Sequence, residues 1–259
     1  MKRQLFNIHI TFVNLIFILI VVSCTTKNEK LTIATAANMQ YTVNEMIDIF
    51  YSETGIECQT VVSSSGKLTA QIQEGAPFDV FISADTKYPN ELFKNGFTQT
   101  EPKIYAYGKL ILWTLKSDIQ PSLSNLTSKK IKHIASPNPV TAPYGIATEE
   151  VLAYYKILDS VKPKLVFGES VAQTNQFITS KVAELGFTAK SVVLSPNLKE
   201  KGTFIEIDDK SYNPIAQSAV IIKNTGKDLS KSEKFFNFLF SKKGKEILKK
   251  HGYTVIDNE

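Results

Sequence analysis

Apolar positions recur along this chain with two different periods, and the switches between them mark its elements. The segment LTIA (31–34) reads as a strand. Val43, Met46, Ile47 and Phe50 then fall at i, i+3, i+4 and i+7, one face of a helix that Gly55 ends. A second strand is predicted over 56–62, a helix over 68–73, and a third strand over 78–82 after a Gly75-Ala76-Pro77 loop. Asp85 is placed to cap a helix beginning near Thr86, and Asp79 reads as structural. Such alternation of strand and helix argues for a mostly parallel α/β sheet.

The alternation then restarts. Strands are predicted at 110–115, 131–135, 165–167, 185–188 and 216–222. Helices are predicted over 148–158, from the Gly168-Glu169-Ser170-Val171 junction onward, and around 233–240 and 244–251, while residues 137–145, rich in proline, read as a long turn. Two α/β lobes fit this pattern. The first comprises residues 31–107 and 217–259, the second residues 108–216, and the chain crosses between them near 105–109 and 214–218. Trp113 and the aromatic run Phe235, Phe236, Phe238 and Phe240 read as core.

The N-terminus is of another kind. Lys2 and Arg3 precede an apolar stretch that closes on Val21-Val22-Ser23-Cys24, the pattern of an export leader ending in a lipobox. Residues 1–23 are therefore expected to be a lipoprotein signal peptide, Cys24 the lipidated residue, and residues 24–30 a polar tether. An uncleaved membrane anchor is the alternative, but Asn7, His9 and Asn14 interrupt the stretch, and a span needs about 20 predominantly apolar residues. The expected location is outside the cytoplasm, periplasmic or at the cell surface.

Charge narrows the choice of partner. Removing the leader lowers the formal charge from +5 to +3, with lysines and acids mixed throughout, so the clustered basic face of a nucleic-acid binder is missing. With Cys24 lipidated, Cys58 is left alone in a strand pattern, where a buried structural thiol is expected. Arg3 is the sole arginine, so an anion site in the exported chain must rely on lysine, hydroxyls, amides or backbone N–H groups.

Candidate chemistry sits where strands run into helices. Ser65-Gly66-Lys67 resembles the end of a phosphate-binding loop, but that motif requires glycine where Val61 stands and Ser or Thr where Leu68 stands. Four junctions, at Ala37-Asn38, Ser64-Ser65-Gly66, Pro143-Tyr144-Gly145 and Ser170-Val171, share a helix start with free N–H groups. A helix N-terminus favours anions, and open α/β sheets bind ligands beyond the carboxyl ends of their strands. Each junction alone is ordinary capping; four converging would line a cleft with donors. No G-x-S-x-G signature supports a serine hydrolase, and neither His133 nor His251 lies near these junctions.

These motifs carry a resemblance: IATAANM (33–39), VVSSSGKLTAQIQEGAPFDVFISAD (61–85), YAYGKLILW (105–113), NPVTAPYGIA (138–147), GESVAQTNQF (168–177) and AELGFTA (183–189). The chain resembles the periplasmic molybdate-binding proteins of molybdate ABC transporters over essentially its whole exported length. The resemblance implies a type II periplasmic-binding fold, an α/β protein of two lobes with the ligand cleft between them. It implies capture of molybdate, and of tungstate, for the membrane permease of an ABC importer, by a monomer with no catalysis and no cofactor. Implied oxyanion ligands are Asn38, where one branch has serine, Ser65, the backbone amide of Tyr144 and the backbone amide of Val171. A further tyrosine ligand of one branch aligns with Ala189, and N–H groups near Ala37 or Gly66 are the implied substitutes. Lys67 is expected to be solvated. The alternatives are another oxyanion such as sulfate, an exported serine-dependent hydrolase, or a tethered adhesion module.

Overall fold

The computed structural model describes residues 30–224 and 228–256; the leader, Cys24 and the tether lie outside the described residues. Two five-stranded sheets organise the chain. The first contains β1 (Leu31–Ala36), β2 (Cys58–Ser63), β3 (Val80–Ile82), β4 (Lys103–Gly108) and β10 (Ile215–Ile221) in the order β2-β1-β3-β10-β4. The second contains β5 (Leu110–Thr114), β6 (Ile134–Pro137), β7 (Leu165–Gly168), β8 (Leu185–Ala189) and β9 (Thr203–Glu206) in the order β7-β6-β8-β5-β9.

Both sheets are mixed in the same way. β1 runs parallel to β2 and β3, while β10 runs antiparallel to β3 and β4. β6 runs parallel to β7 and β8, while β5 runs antiparallel to β8 and β9. The antiparallel strand in each case follows a crossing between lobes. β4 passes into β5 through Lys109 alone, and β10 carries the chain back beside β4, with Ile215 opposite Gly108. A strand that enters a sheet from the other lobe arrives at the end where the local strands finish, so it must run against them.

Helix α1 (Gln40–Thr54) buries Thr42, Val43, Met46 and Phe50 and ends at Gly55, whose φ of 69° is the left-handed conformation that glycine tolerates. Its Phe50 meets Phe235 edge to face at 5.2 Å, joining α1 to α8 (Ser230–Phe240) in the core of the first lobe. Helices α2 (Ser65–Gln73) and α3 (Lys87–Lys94) cover its other face through Leu68, Ile72 and Leu92. α9 (Lys242–Lys250) closes the lobe against α1 and α8. In the second lobe, α4 (Pro143–Tyr154) and α6 (Val171–Thr179) pack on β6 and β8, with α5 (Leu158–Val161) and α7 (Lys190–Val193) as single turns. Trp113 is fully buried there.

Several boundaries differ from the sequence pattern. α4 begins at Pro143 rather than Thr148, because proline at the first helical position loses no hydrogen bond and its ring fixes a helical φ. α2 begins at Ser65, three residues ahead of its apolar positions. β6 begins at Ile134; Ile131 is buried but sits in a turn, its N–H donated to the Ser128 carbonyl. β9, with its alternating Thr203, Phe204, Ile205 and Glu206, was not in the predicted set. Cys58 lies half-buried on the edge strand β2, its thiol pushed up to about 12 by burial and then by the Asp79 carboxylate, so it is neutral at physiological pH. Asp79 accepts the Thr32 N–H at 2.7 Å, and Asp85 accepts the Tyr88 N–H at 3.3 Å at the start of α3.

Candidate functional site

A small cavity of about 10 Å³ lies between the lobes. Ala36, Ala37, Asn38, Ser64, Ser65 and Ala84 line it from the first lobe, and Ala142, Pro143, Tyr144 and Val171 from the second. The structure therefore brings Asn38, Ser65, Tyr144, Val171 and Ala37 to one place, from four junctions far apart in sequence. No lining side chain is charged at physiological pH. Ionisation of Tyr144 is pushed well above the usual range, first by burial and then by the neighbouring Tyr253.

Ordinary side-chain capping does not account for three of these four junctions. The start of the 3-10 turn Ala37–Met39, which runs straight into α1, has no side-chain cap. Neither has the start of α2 at Ser64, nor that of α4 at Ala142. At the fourth, Ser170 accepts from the Gln173 N–H, leaving the Val171 amide at the first position of α6. First-turn N–H groups have no intrahelical acceptor. Helix starts without side-chain caps therefore leave donors and the positive ends of helix dipoles at the cavity.

Ser65 is fixed by its surroundings. Its Oγ accepts the Ala84 N–H at 3.0 Å, so the hydroxyl proton is free to donate elsewhere. Asn38, expected as a ligand, is also held by the protein. Its Nδ2 donates to Gln217 Oε1 and to the Tyr253 hydroxyl, both at 3.0 Å, and its backbone carbonyl accepts from Ser191 Oγ at 2.8 Å. Gln217 Nε2 donates to the Tyr144 hydroxyl at 3.1 Å, and Tyr105 donates to Gln217 Oε1 at 2.7 Å. This network behind the cavity joins the lobes through Ser191 and Tyr144. It also explains Gly108 at the crossing: a Cβ there would stand 2.2 Å from the Tyr144 hydroxyl and 2.4 Å from Gln217 Nε2. Sequence reasoning missed Gln217, Tyr253 and Ser191, which lie 179, 215 and 153 positions from Asn38 and carry no local signal.

Gly66 is the exception among the expected donors. It does not line the cavity, and its N–H is donated across the cleft to the Thr141 carbonyl at 3.0 Å. Two further contacts close the mouth on this side: Tyr88 donates to the Val140 carbonyl at 3.1 Å, and Lys67 pairs with Glu169. Lys67 is thus partly exposed and paired. Ala189 is packed in the core of the second lobe and offers no hydroxyl. His133 and His251 lie beside Glu184 and Glu45, away from the cavity, and no cluster of potential metal ligands occurs among the described residues.

Comparison with known proteins places this geometry in context. A family model described as bacterial extracellular solute-binding protein matches residues 31–254. The molybdate-binding protein ModA of Azotobacter vinelandii is 35% identical over 235 residues, covering 90% of this chain and 93% of that protein. A putative ABC transporter substrate-binding lipoprotein of Bacillus subtilis, YvgL, is 28% identical, with 88% of each covered. The solved structure of the Azotobacter vinelandii periplasmic molybdate-binding protein superposes with a TM-score of 0.83 at 34% identity, covering 88% of this chain and all of that one.

Proposed function

Because the chain belongs to the bacterial extracellular solute-binding proteins, a family of binders rather than enzymes with no cofactor of its own, we propose that it captures molybdate, and tungstate with it, for the permease of an ABC importer. The observation that carries this reading is the meeting of four helix starts, three without a side-chain cap, on a cavity with no charged wall. A fully deprotonated tetrahedral dianion needs many donors and no acceptor. Neutral donors facing an anion supply charge-assisted hydrogen bonds of about 1.5–3 kcal/mol each.

The donors we assign are the Ser65 hydroxyl, the amides of Ala37, Tyr144 and Val171, and the Asn38 side chain. As placed, Asn38 Oδ1 is buried without a protein partner, an acceptor unsuited to an anion. Turning the Asn38 and Gln217 amides together by 180° keeps every heavy-atom contact. Gln217 Oε1 then accepts the Tyr144 proton, and Asn38 Nδ2 becomes the free edge. In that orientation no carboxylate or amide oxygen of the wall is left to accept the proton of hydrogen phosphate.

We assign the lobes as residues 31–107 with 217–259 and residues 108–216; strand membership of the two sheets supports that division, with β10 beginning two residues before it. The lipobox pattern ending at Cys24 supports a lipid anchor outside the cytoplasm, and the Bacillus relative is described as a lipoprotein. Melting curves with molybdate, tungstate, sulfate and phosphate test the reading. Molybdate and tungstate at a thousandfold excess over Kd are expected to stabilise by about 4 kcal/mol. A phosphate effect as large as that of molybdate refutes it.

A further inference from the structure

We infer that Ser64, and not only Ser65, donates its hydroxyl to the bound oxyanion, and that this second hydroxyl makes lobe closure depend on the ligand. This rests on the oxyanion reading above. Of the buried side-chain polar atoms without a partner among the described residues, two belong to the cavity wall: Asn38 Oδ1 and Ser64 Oγ. The first regains a role when its amide turns. The second has no hydrogen-bond partner in the protein where it stands.

Ser64 is 3% exposed and stands at the N-cap of α2, where serine normally accepts an N–H from the helix's own first turn. Here that bond is absent. The neighbouring amide, Gly66, is already donated to Thr141 of the other lobe. Ser64 therefore keeps a proton and lone pairs, buried beside the cavity, while its neighbour Ser65 is anchored by Ala84. Two adjacent hydroxyls, one fixed and one free to rotate, can meet two oxygens of one tetrahedral ion. The second hydroxyl also answers the shortfall created by Ala189, which offers none.

The consequence reaches beyond affinity. With the lobes apart, water satisfies Ser64. Closing on an empty cavity strips that water and leaves a hydroxyl unpaired, which is unfavourable. Closing on an oxyanion supplies the acceptor. Ser64 thus favours closure only when the cavity is filled, by a differential interaction with the two states.

Titration calorimetry of sodium molybdate into wild type, Ser64→Ala and Ser65→Ala tests this, with melting curves of each ligand-free protein. Ser64→Ala is expected to lose about tenfold to hundredfold in affinity. Its ligand-free melting temperature should equal or exceed that of wild type, since no protein hydrogen bond is lost. Ser65→Ala should lower both, because the Ala84 N–H loses its acceptor. Wild-type affinity in Ser64→Ala overturns the inference, and so does a lowered ligand-free melting temperature with unchanged affinity, which marks a structural cap. Should Ser64→Ala not fold, Ser64→Gly, compatible with the local φ of −73° and ψ of 152°, gives the same readings. A wild type that binds neither molybdate nor tungstate refutes the oxyanion reading itself, and is seen before any variant is made.

Discussion

The first lobe brings polar side chains to the cavity, Asn38, Ser64 and Ser65, while the second brings Ala142, Pro143, Tyr144 and Val171. In the second lobe the polar tip of Tyr144 is turned away, bonded to Gln217, and Val171 is packed in the core. What that lobe offers is backbone, held by the starts of α4 and α6. The two halves of one site are thus encoded differently. One half can be edited side chain by side chain; the other can be changed only through the backbone or through the packing that positions it.

The largest expected effect breaks this contrast where it is least editable. Val171→Pro deletes the N–H and puts a ring carbon in its place, while proline at a first helical position is favourable. Ser170 already has the extended φ of −149° and ψ of 168° that a residue before proline requires. A folded protein with a molybdate affinity lower by about a hundredfold or more is expected by calorimetry. Full affinity would show that the second lobe contributes no amide here.

Tyr144→Phe sharpens the comparison from the other side. The backbone amide survives, but the Gln217 side-chain amide loses its Tyr144 partner in a buried network. Stability should fall by about 1–3 kcal/mol in denaturant titration, with affinity changing by less than about tenfold. A smaller effect is expected at the mouth. Lys67 and Glu169 are an exposed pair across the cleft, and such pairs contribute about 0–1 kcal/mol. Glu169→Gln should weaken binding at most a few-fold at low salt and not at all at high salt, read by titrations at two ionic strengths.

The smallest expected effect is that of pH on the cavity itself. Tyr144 and Tyr105 are pushed well above the usual tyrosine range, chiefly by burial, so no lining group changes charge between about pH 6 and 9. Molybdate affinity should be flat there. Stability should fall at acid pH. Burial raises Glu45, yet its hydrogen bonds to Lys250 and His251 outweigh that and hold it below 4.5. Its folded pKa is thus depressed, so its contribution is present above the unfolded value and is lost as pH falls through the folded one. A break in affinity near pH 7 would point to a titrating ligand residue.

The amino-acid sequence by itself determined the alternation of strand and helix, the two crossings between lobes and the four junctions, because periodicity and turn residues act over a few positions. Pro143 shows the limit of that reading: within Ala-Pro-Tyr-Gly it signals a turn, yet the same fixed φ starts a helix. Ser64 and Ser65 are indistinguishable in the string VVSSSG, and only the Ala84 N–H beside one of them separates a held hydroxyl from a free one. Likewise Asn38 reads as a ligand, but its partners Gln217, Tyr253 and Ser191 come from three distant segments. Only tertiary structure could decide these points. Which polar group is satisfied by protein, and which is left for a ligand, depends on atoms brought together by folding rather than on neighbours along the chain.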